Sequence, residues 1–351
     1  MVGKSTLITV LSAAALVGVA LTPGSAAAEV EPPATMQPSP GATAPPMGKL
    51  KLTLQDAHGN PAFAAIGERI VISGGVRPYV AGQKVVLSIY RNGRRVLTKR
   101  LGVSPAAGGV GQFYFGYASP HSGHLSIRAE HAPTAQLAKL VAKPVSVRYE
   151  LSTLSVGSRG RVVRLLQEEL ARLHYQVNVT GYYDDTTARA VVAFRKVSGQ
   201  QRVESVNPRI FQLIQRGAGV FHVRYPSDGA HVEADLSKQV LAEIERGGRV
   251  RRIITISSGK PSTPTVIGRF HVYRKEPGTN SHGMVDSSYF IGGYAIHGYA
   301  EVPTYAASHG CLRIPVPDAA VVYAWVKFGY AVDVYTGSGR GSRTVRSNVG
   351  P

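Results

Sequence analysis

Cys311 is the only cysteine among 351 residues. It stands in the run Ala307-Ser308-His309-Gly310-Cys311-Leu312-Arg313, and His297 precedes it in Ala295-Ile296-His297-Gly298. A thiol attacks carbonyl groups well only as the thiolate, so it needs a nearby base or a positive field. Two histidines and an arginine are the residue types that supply these. If Cys311 heads a strand while residues 298–308 loop out, His297 at the end of the preceding strand folds back beside it. Gly310 has no Cβ, which lets its N–H and that of Cys311 approach a developing oxyanion. Arg313, two residues along the strand, shares the face of Cys311 and suits an anionic group of a substrate. One alternative is a buried core thiol flanked by incidental histidines; the polar run argues against it. The other is a metal site of His297, His309 and Cys311. Neither an H-E-x-x-H pair nor a second thiol supports it, so no metal and no other cofactor is expected.

Composition narrows the setting. A single cysteine excludes an intrachain disulfide and any thiol-rich metal site. With 40 Lys+Arg against 21 Asp+Glu, the net charge of +19 favours anionic surroundings. Basic residues are spread along the chain instead of clustering in a groove-reading helix, so no nucleic-acid partner is expected. The 39 Gly and 22 Pro point to a turn-rich, strand-rich protein.

The elements that must position the thiol fall into segments. Residues 1–28 read as a secretory signal peptide: Lys4, an uncharged apolar stretch over 6–22, then Ala26-Ala27-Ala28, with cleavage after Ala28. An uncleaved anchor is the alternative, but the stretch is short and Ala-rich. Residues 29–48 are a Pro/Ala-rich linker. Residues 49–150 carry about seven short alternating runs divided by turn signals, the pattern of an immunoglobulin-like β-sandwich. His121, His124 and His131 in that stretch are expected to be surface loop residues. Residues 151–217 read as three short helices in a small satellite bundle. An amphipathic stretch over 161–175 carries Val162, Leu165, Leu166 and Leu170; Asp185 or Thr186 caps the second helix, and Asn207-Pro208 opens the third, which Gly217 closes. Residues 220–336 return to β, beginning with the run HVRY at 222–225. One late helix, capped by Asp318 and closed by Gly329, follows. Residues 337–351 are a basic tail expected to be disordered.

Two families resemble these patterns. The order Gly157, Gly160, Val163, Leu166-Gln167, Leu170, Gly181-Tyr182-Tyr183-Asp184, Thr187, Ala190-Val191 and Phe194 resembles the three-helix peptidoglycan-binding module. The last domain resembles the L,D-transpeptidase catalytic domain of the YkuD-like fold. Its signature stands here as His297, a loop, then Ser308-His309-Gly310-Cys311-Leu312-Arg313. Upstream, Ser258-Gly259-Lys260 and the run from Thr263-Pro264-Thr265 to Gly268-Arg269-Phe270 resemble the family's hairpin, with one extra residue before the glycine. Asp235-Leu236-Ser237-Lys238-Gln239 resembles its opening strand pair. The loop between His297 and Ser308 is shorter than in many members.

The resemblance implies roles. Cys311 would be the nucleophile and His297 its general base and acid, oriented through the Gly298 carbonyl. Ser308 and His309 would frame the motif, and the Gly310 and Cys311 amides would form part of the oxyanion hole. Gly292 and Gly293, on the strand leading to His297, would present backbone to the donor stem, and Arg313 would touch a substrate carboxylate. Tyr289, Tyr294, Tyr299 and Tyr305 are expected to pack. The implied activity is exported, wall-acting acyl transfer. A peptidoglycan tetrapeptide stem forms a thioester, D-Ala leaves, and a second stem's amine completes a 3→3 cross-link. Implied partners are donor and acceptor stem peptides, anionic wall polymers and, as covalent inhibitors, β-lactams of the carbapenem type. Rival readings are an L,D-carboxypeptidase, a stem-to-protein or D-amino-acid transferase with the same thiol, and a non-catalytic wall-binding scaffold. A sortase also uses Cys, His and Arg, but its Cys and Arg lie on different strands.

Overall fold

The computed structural model describes residues 45–337. The expected signal at 1–28, the expected linker up to residue 44 and the expected tail beyond residue 337 lie outside the described residues. The described chain is mainly β, a multidomain arrangement of several sheets with four α-helices.

The first ten strands are β1 (Lys49–Gln55), β2 (Phe63–Ala65), β3 (Arg69–Arg77), β4 (Lys84–Arg91), β5 (Arg94–Gly102), β6 (Ser104–Ala106), β7 (Val110–Ala118), β8 (Gly123–His131), β9 (Leu140–Val141) and β10 (Val145–Glu150). One sheet runs β1-β3-β7-β6 and the other β2-β10-β8-β4-β5, with β9 beside β8. Period-two alternation drives their packing. Leu50 and Leu52, Ile70 and Ile72, Leu87 and Ile89, and Leu125 and Ile127 all enter one buried cluster between the sheets. Pro144 has no amide hydrogen for a ladder, and it lies in the gap between β9 and β10. Two of the three histidines differ from expectation. His124 and His131 lie on β8, and His131 is buried because its side of the strand faces the core; His121 alone sits in a loop.

Three helices follow: α1 (Arg161–Arg172), α2 (Asp185–Val197) and α3 (Pro208–Gln215). Asp184, not Asp185 or Thr186, caps α2 by accepting from the Thr187 amide at 2.8 Å. Asn207 caps α3 ahead of Pro208 at its first position, as the sequence indicates.

The remaining strands are β11 (His231–Asp235), β12 (Val240–Ile244), β13 (Val250–Thr255), β14 (Gly268–His271), β15 (Arg274–Thr279), β16 (Val285–Ile291), β17 (Tyr294–Tyr299) and β18 (Leu312–Pro315), then helix α4 (Val316–Trp325) and β19 (Ala331–Tyr335). They form a sheet β13-β12-β11-β19-β14 and a sheet β15-β16-β17-β18. Val232, Leu241, Ile254 and Val334 of the first meet Phe290, Ile296, Leu312 and Ile314 of the second in one core, closed by Ala319 and Val322 of α4. Residues 222–225 are not a strand. Instead, the Arg224 and Tyr225 amides donate to the buried Glu233 carboxylate at 2.8 and 2.7 Å. Asp318 does not cap α4: Pro315 occupies the cap, and Asp318 lies buried in the first turn, 3.7 Å from Arg189 of α2. That helix ends at Trp325, before Gly329.

The helical segment is not a satellite. Leu166, Leu170, Val191, Phe194 and Phe211 share one core cluster with Val240, Ala242, Ile244 and Ile253 of β12 and β13. Helix α2 is buried along nearly its whole length from Ala188 to Lys196. The back of the five-stranded sheet supplies that cover, through Val240, Ala242, Ile244 and Ile253.

Candidate active site

Strands β17 and β18 are parallel, with Ile296 beside Leu312 and His297 beside Arg313. Cys311, immediately before β18, is therefore level with Ala295, about 7 Å of strand from His297. Its Sγ donates to the Gly293 carbonyl at 3.6 Å, and the Ala295 amide donates to it. Burial pushes the Cys311 thiol up from its ordinary value; the Ala295 amide and the Arg313 charge offset this only in part. His297 is buried. Its Nδ1 lies 2.9 Å from the Gly298 carbonyl oxygen. A carbonyl can only accept, so Nδ1 carries the proton and Nε2 keeps a lone pair. Burial holds the imidazole below its ordinary value, the Gly298 carbonyl opposes this, and the Arg313 charge adds to it. Both shifts favour the uncharged forms, a thiol and a neutral imidazole.

The loop before Cys311 is held by a mesh of hydroxyl and backbone bonds. Ser308 is buried; its Oγ donates to the Cys311 carbonyl at 2.6 Å and accepts from the Gly310 amide at 3.0 Å. The Ser258 carbonyl accepts from the Ala307 and Ser308 amides, at 2.8 and 2.9 Å. Thr265 Oγ1 donates to the Gly310 carbonyl at 2.7 Å and accepts from the Gly259 amide at 2.8 Å. Thr263 Oγ1 donates to the Ser308 carbonyl at 3.1 Å. Ser257 pairs with Arg313 in both directions, and its Oγ donates to the Tyr305 carbonyl at 2.7 Å.

Several sequence expectations change here. The Gly310 amide is engaged by Ser308, so it is not directed at a substrate oxygen. What requires glycine at 310 is space and conformation: φ is +122°, and a Cβ would lie 2.2 Å from the Tyr294 ring. Gly292 and Gly293 form the turn between β16 and β17; they do not lie within a strand. The Arg313 guanidinium lies over the Tyr299 ring, 4.0 Å from its centroid, and Tyr299 meets the His297 ring edge-on at 5.7 Å. His309 is exposed, with Lys260 Nζ 3.4 Å from its Nε2. Tyr289 donates to Glu276 at 2.7 Å, and Tyr305 is exposed. Gln239, Ser257, Thr263 and Thr265 were not assigned roles from sequence. The Thr-Pro run is the signal for the two threonines, and the Asp235-to-Gln239 run is the signal for the turn in which Gln239 sits at positive φ.

A buried, carbonyl-oriented histidine thus lies on β17, and the half-buried Cys311 immediately precedes its parallel neighbour β18, within a two-sheet core. Residues 229–334 match the family model of the L,D-transpeptidase catalytic domain (YkuD), and residues 159–202 match that of a peptidoglycan binding domain. Residues 229–334 therefore belong to the L,D-transpeptidase catalytic domain family, and the chain carries this domain behind a peptidoglycan-binding one. Among solved structures, an L,D-transpeptidase fragment from Xylanimonas cellulosilytica is 35% identical over 52% of this chain and 98% of its own, with a TM-score of 0.48. An L,D-transpeptidase from Stackebrandtia nassauensis is 22% identical over 54% of this chain and 96% of its own, with a TM-score of 0.34. One from Mycobacterium smegmatis is 13% identical over 82% of this chain and 99% of its own, with a TM-score of 0.28. No curated protein matches the chain.

Proposed function

We propose that this is an exported transpeptidase that uses Cys311 to make 3→3 cross-links in peptidoglycan. The Cys311 Sγ attacks the carbonyl of the third stem residue while His297 Nε2 takes the thiol proton. The same proton passes to the amine of the departing D-Ala as the C–N bond breaks, leaving an acyl-thioester. An amine of a second stem then attacks the thioester. His297 receives that amine's proton and returns it to the Cys311 sulfur as the C–S bond breaks. The thioester conserves the bond energy outside the cell, where no ATP is available. The observation that carries this reading is the Gly298 carbonyl on His297 Nδ1, which leaves Nε2 as the base on the Cys311 strand pair. Of the Gly310 and Cys311 amides, we assign the oxyanion role to that of Cys311, because Ser308 holds the other.

The remaining segments follow from this reading. We take residues 49–150 as an immunoglobulin-like spacer, 151–217 as the three-helix wall-binding module, and Arg313 as the charge that faces a stem carboxylate across the Tyr299 ring. The β4–β5 hairpin carries Lys84, Arg91, Arg94, Arg95, Lys99 and Arg100 with no acid, and β5 is mostly exposed, which suits retention on anionic wall polymers.

The test is incubation of the chain lacking residues 1–28 with a disaccharide-tetrapeptide, followed by mass spectrometry. Cross-linked dimer plus free D-Ala is expected, and neither is expected from Cys311→Ala. Tripeptide alone would identify the carboxypeptidase instead, and equal turnover by Cys311→Ala would overturn the thiol mechanism. A carbapenem is expected to add its full mass to the protein through Cys311, since ring opening by the thiol expels nothing. An unchanged intact mass after long exposure would count against a reactive thiol at this position.

A further inference from the structure

The segment matched as a peptidoglycan-binding domain ends in two basic residues that reach into the catalytic domain. Lys196, near the end of α2, is buried. Its Nζ lies 3.0 Å from the Gln239 carbonyl, 2.5 Å from Thr255 Oγ1 and 2.9 Å from the Ile256 carbonyl. Gln239 continues the chain of contacts. Its Nε2 donates to Ser258 Oγ at 2.7 Å, and its Oε1 accepts from the Ser258 amide at 2.9 Å. The Ser258 carbonyl in turn holds the Ala307 and Ser308 amides, and Ser308 Oγ holds the Cys311 carbonyl. Arg202 reaches the same loop from its other end. Its Nη1 donates to the Thr304 carbonyl at 2.6 Å and its Nη2 to the Ser237 carbonyl at 3.1 Å.

These bonds have a common consequence. The loop that leads from His297 to Cys311 is fixed at Thr304 by Arg202, at Tyr305 by Ser257, and at Ala307 and Ser308 by Ser258. Two of those anchors depend on the helical segment, directly or through Gln239. A catalytic group displaced by about 1 Å can lose about a hundredfold in rate, so anchors of this kind matter to chemistry. Burial and the Arg202 charge push the Lys196 ammonium down to about 7. As a neutral amine it donates to the two carbonyls and accepts from the Thr255 hydroxyl, so its three contacts stay satisfied.

We propose that Lys196 and Arg202 are positioning residues for the nucleophile, through which the helical segment sets the aim of Cys311. This rests on the transpeptidase reading for turnover only; thiol chemistry tests it independently. The experiment compares the wild type with Arg202→Met, Arg202→Lys and Lys196→Met in the chain lacking residues 1–28. It measures melting temperature, the iodoacetamide alkylation rate of Cys311, and kcat and KM with a tetrapeptide stem.

Arg202 is partly exposed, so its variants are expected to fold with little change in melting temperature. Arg202→Met is expected to lower kcat about tenfold with KM within about twofold, and to change the alkylation rate at least about threefold. Arg202→Lys keeps one of the two carbonyl contacts and is expected to recover part of both effects. Lys196→Met is expected to act in the same direction and more strongly. Wild-type kcat and alkylation in Arg202→Met would overturn the proposal. So would a loss confined to KM, or one that Arg202→Lys fails to recover. If the wild type alkylates at Cys311 yet turns over no stem, the transpeptidase reading fails, and the alkylation rates alone decide the positioning role.

Discussion

Replacing His297 by Gln is expected to lower the rate of the proposed acylation of Cys311 by about 10²–10⁴-fold, the range for loss of a positioned general base. The size follows from the protonation states. Burial raises the thiol above its ordinary value and lowers the imidazole below its own, which favours the neutral form of each. In the proposed step the proton moves as the carbonyl is attacked, and His297 Nε2, left with its lone pair by the Gly298 contact, is the assigned acceptor. Glutamine has similar bulk and can keep a donor on the Gly298 carbonyl, so the fold survives while the base is lost. The pH profile gives the independent check. Iodoacetamide alkylation of wild-type Cys311 is expected to be still rising at pH 9.0, because the thiol titrates above that ordinary value. A plateau below neutrality would mean a preformed thiolate–imidazolium pair and would overturn this account. The double variant Cys311→Ser, His297→Gln is expected to be no slower than the worse single one, since the two groups act as a unit.

The sequence made the chemistry more legible than its support. Cys311 and His297 stand out as candidates by residue type and spacing, and the structure places them at the paired strands β17 and β18. The β alternation of β1, β3, β4 and β8 was readable for a local reason: each strand buries its own every-second residue. Capping was readable at Asn207, where Pro208 marks the first helical position. At Asp318 it was misread, because Pro315 and Pro317 both offer a helix start, and the choice is made by burial against Arg189 of a distant helix.

Long-range terms account for what was not legible. Helix α2 reads as amphipathic on its own, yet Ala190 to Lys196 are buried because a sheet some fifty residues later in sequence covers them. Nothing near Lys196 predicts its partners at Gln239, Thr255 and Ile256. Arg313 shows the same limit. Its strand position gives the face it occupies, but the Tyr299 ring that holds the guanidinium comes from the neighbouring strand. The Gly310 amide was assigned to an oxyanion on the strength of its flexibility. The neighbouring Ser308 hydroxyl, two residues away, takes it instead.

Gly310→Ala is expected to lower kcat/KM at least about a hundredfold, through displacement of Cys311 and not through loss of any catalytic group. Two separate causes act at this residue. Its φ of +122° is a conformation that side chains disfavour, a strain of about 1–3 kcal/mol. A methyl at 310 would also stand 2.2 Å from Tyr294 Cε1, a distance no packed carbon tolerates, so loop or ring must move. The loop is tied on both sides of the residue, by Thr265 on the Gly310 carbonyl and by Ser308 on its amide. Movement therefore breaks contacts that fix the Cys311 backbone. The two causes separate in a second variant. Tyr294→Ala in the Gly310→Ala background removes the collision but leaves the dihedral strain, so activity is expected to recover in part and never fully. Melting temperature measured alongside kcat/KM distinguishes aim from stability: the double variant should regain rate beyond what its melting temperature predicts. Wild-type kcat/KM in Gly310→Ala would mean that the backbone before Cys311 relaxes freely, and that the mesh around Ser308 does not govern where the thiol points.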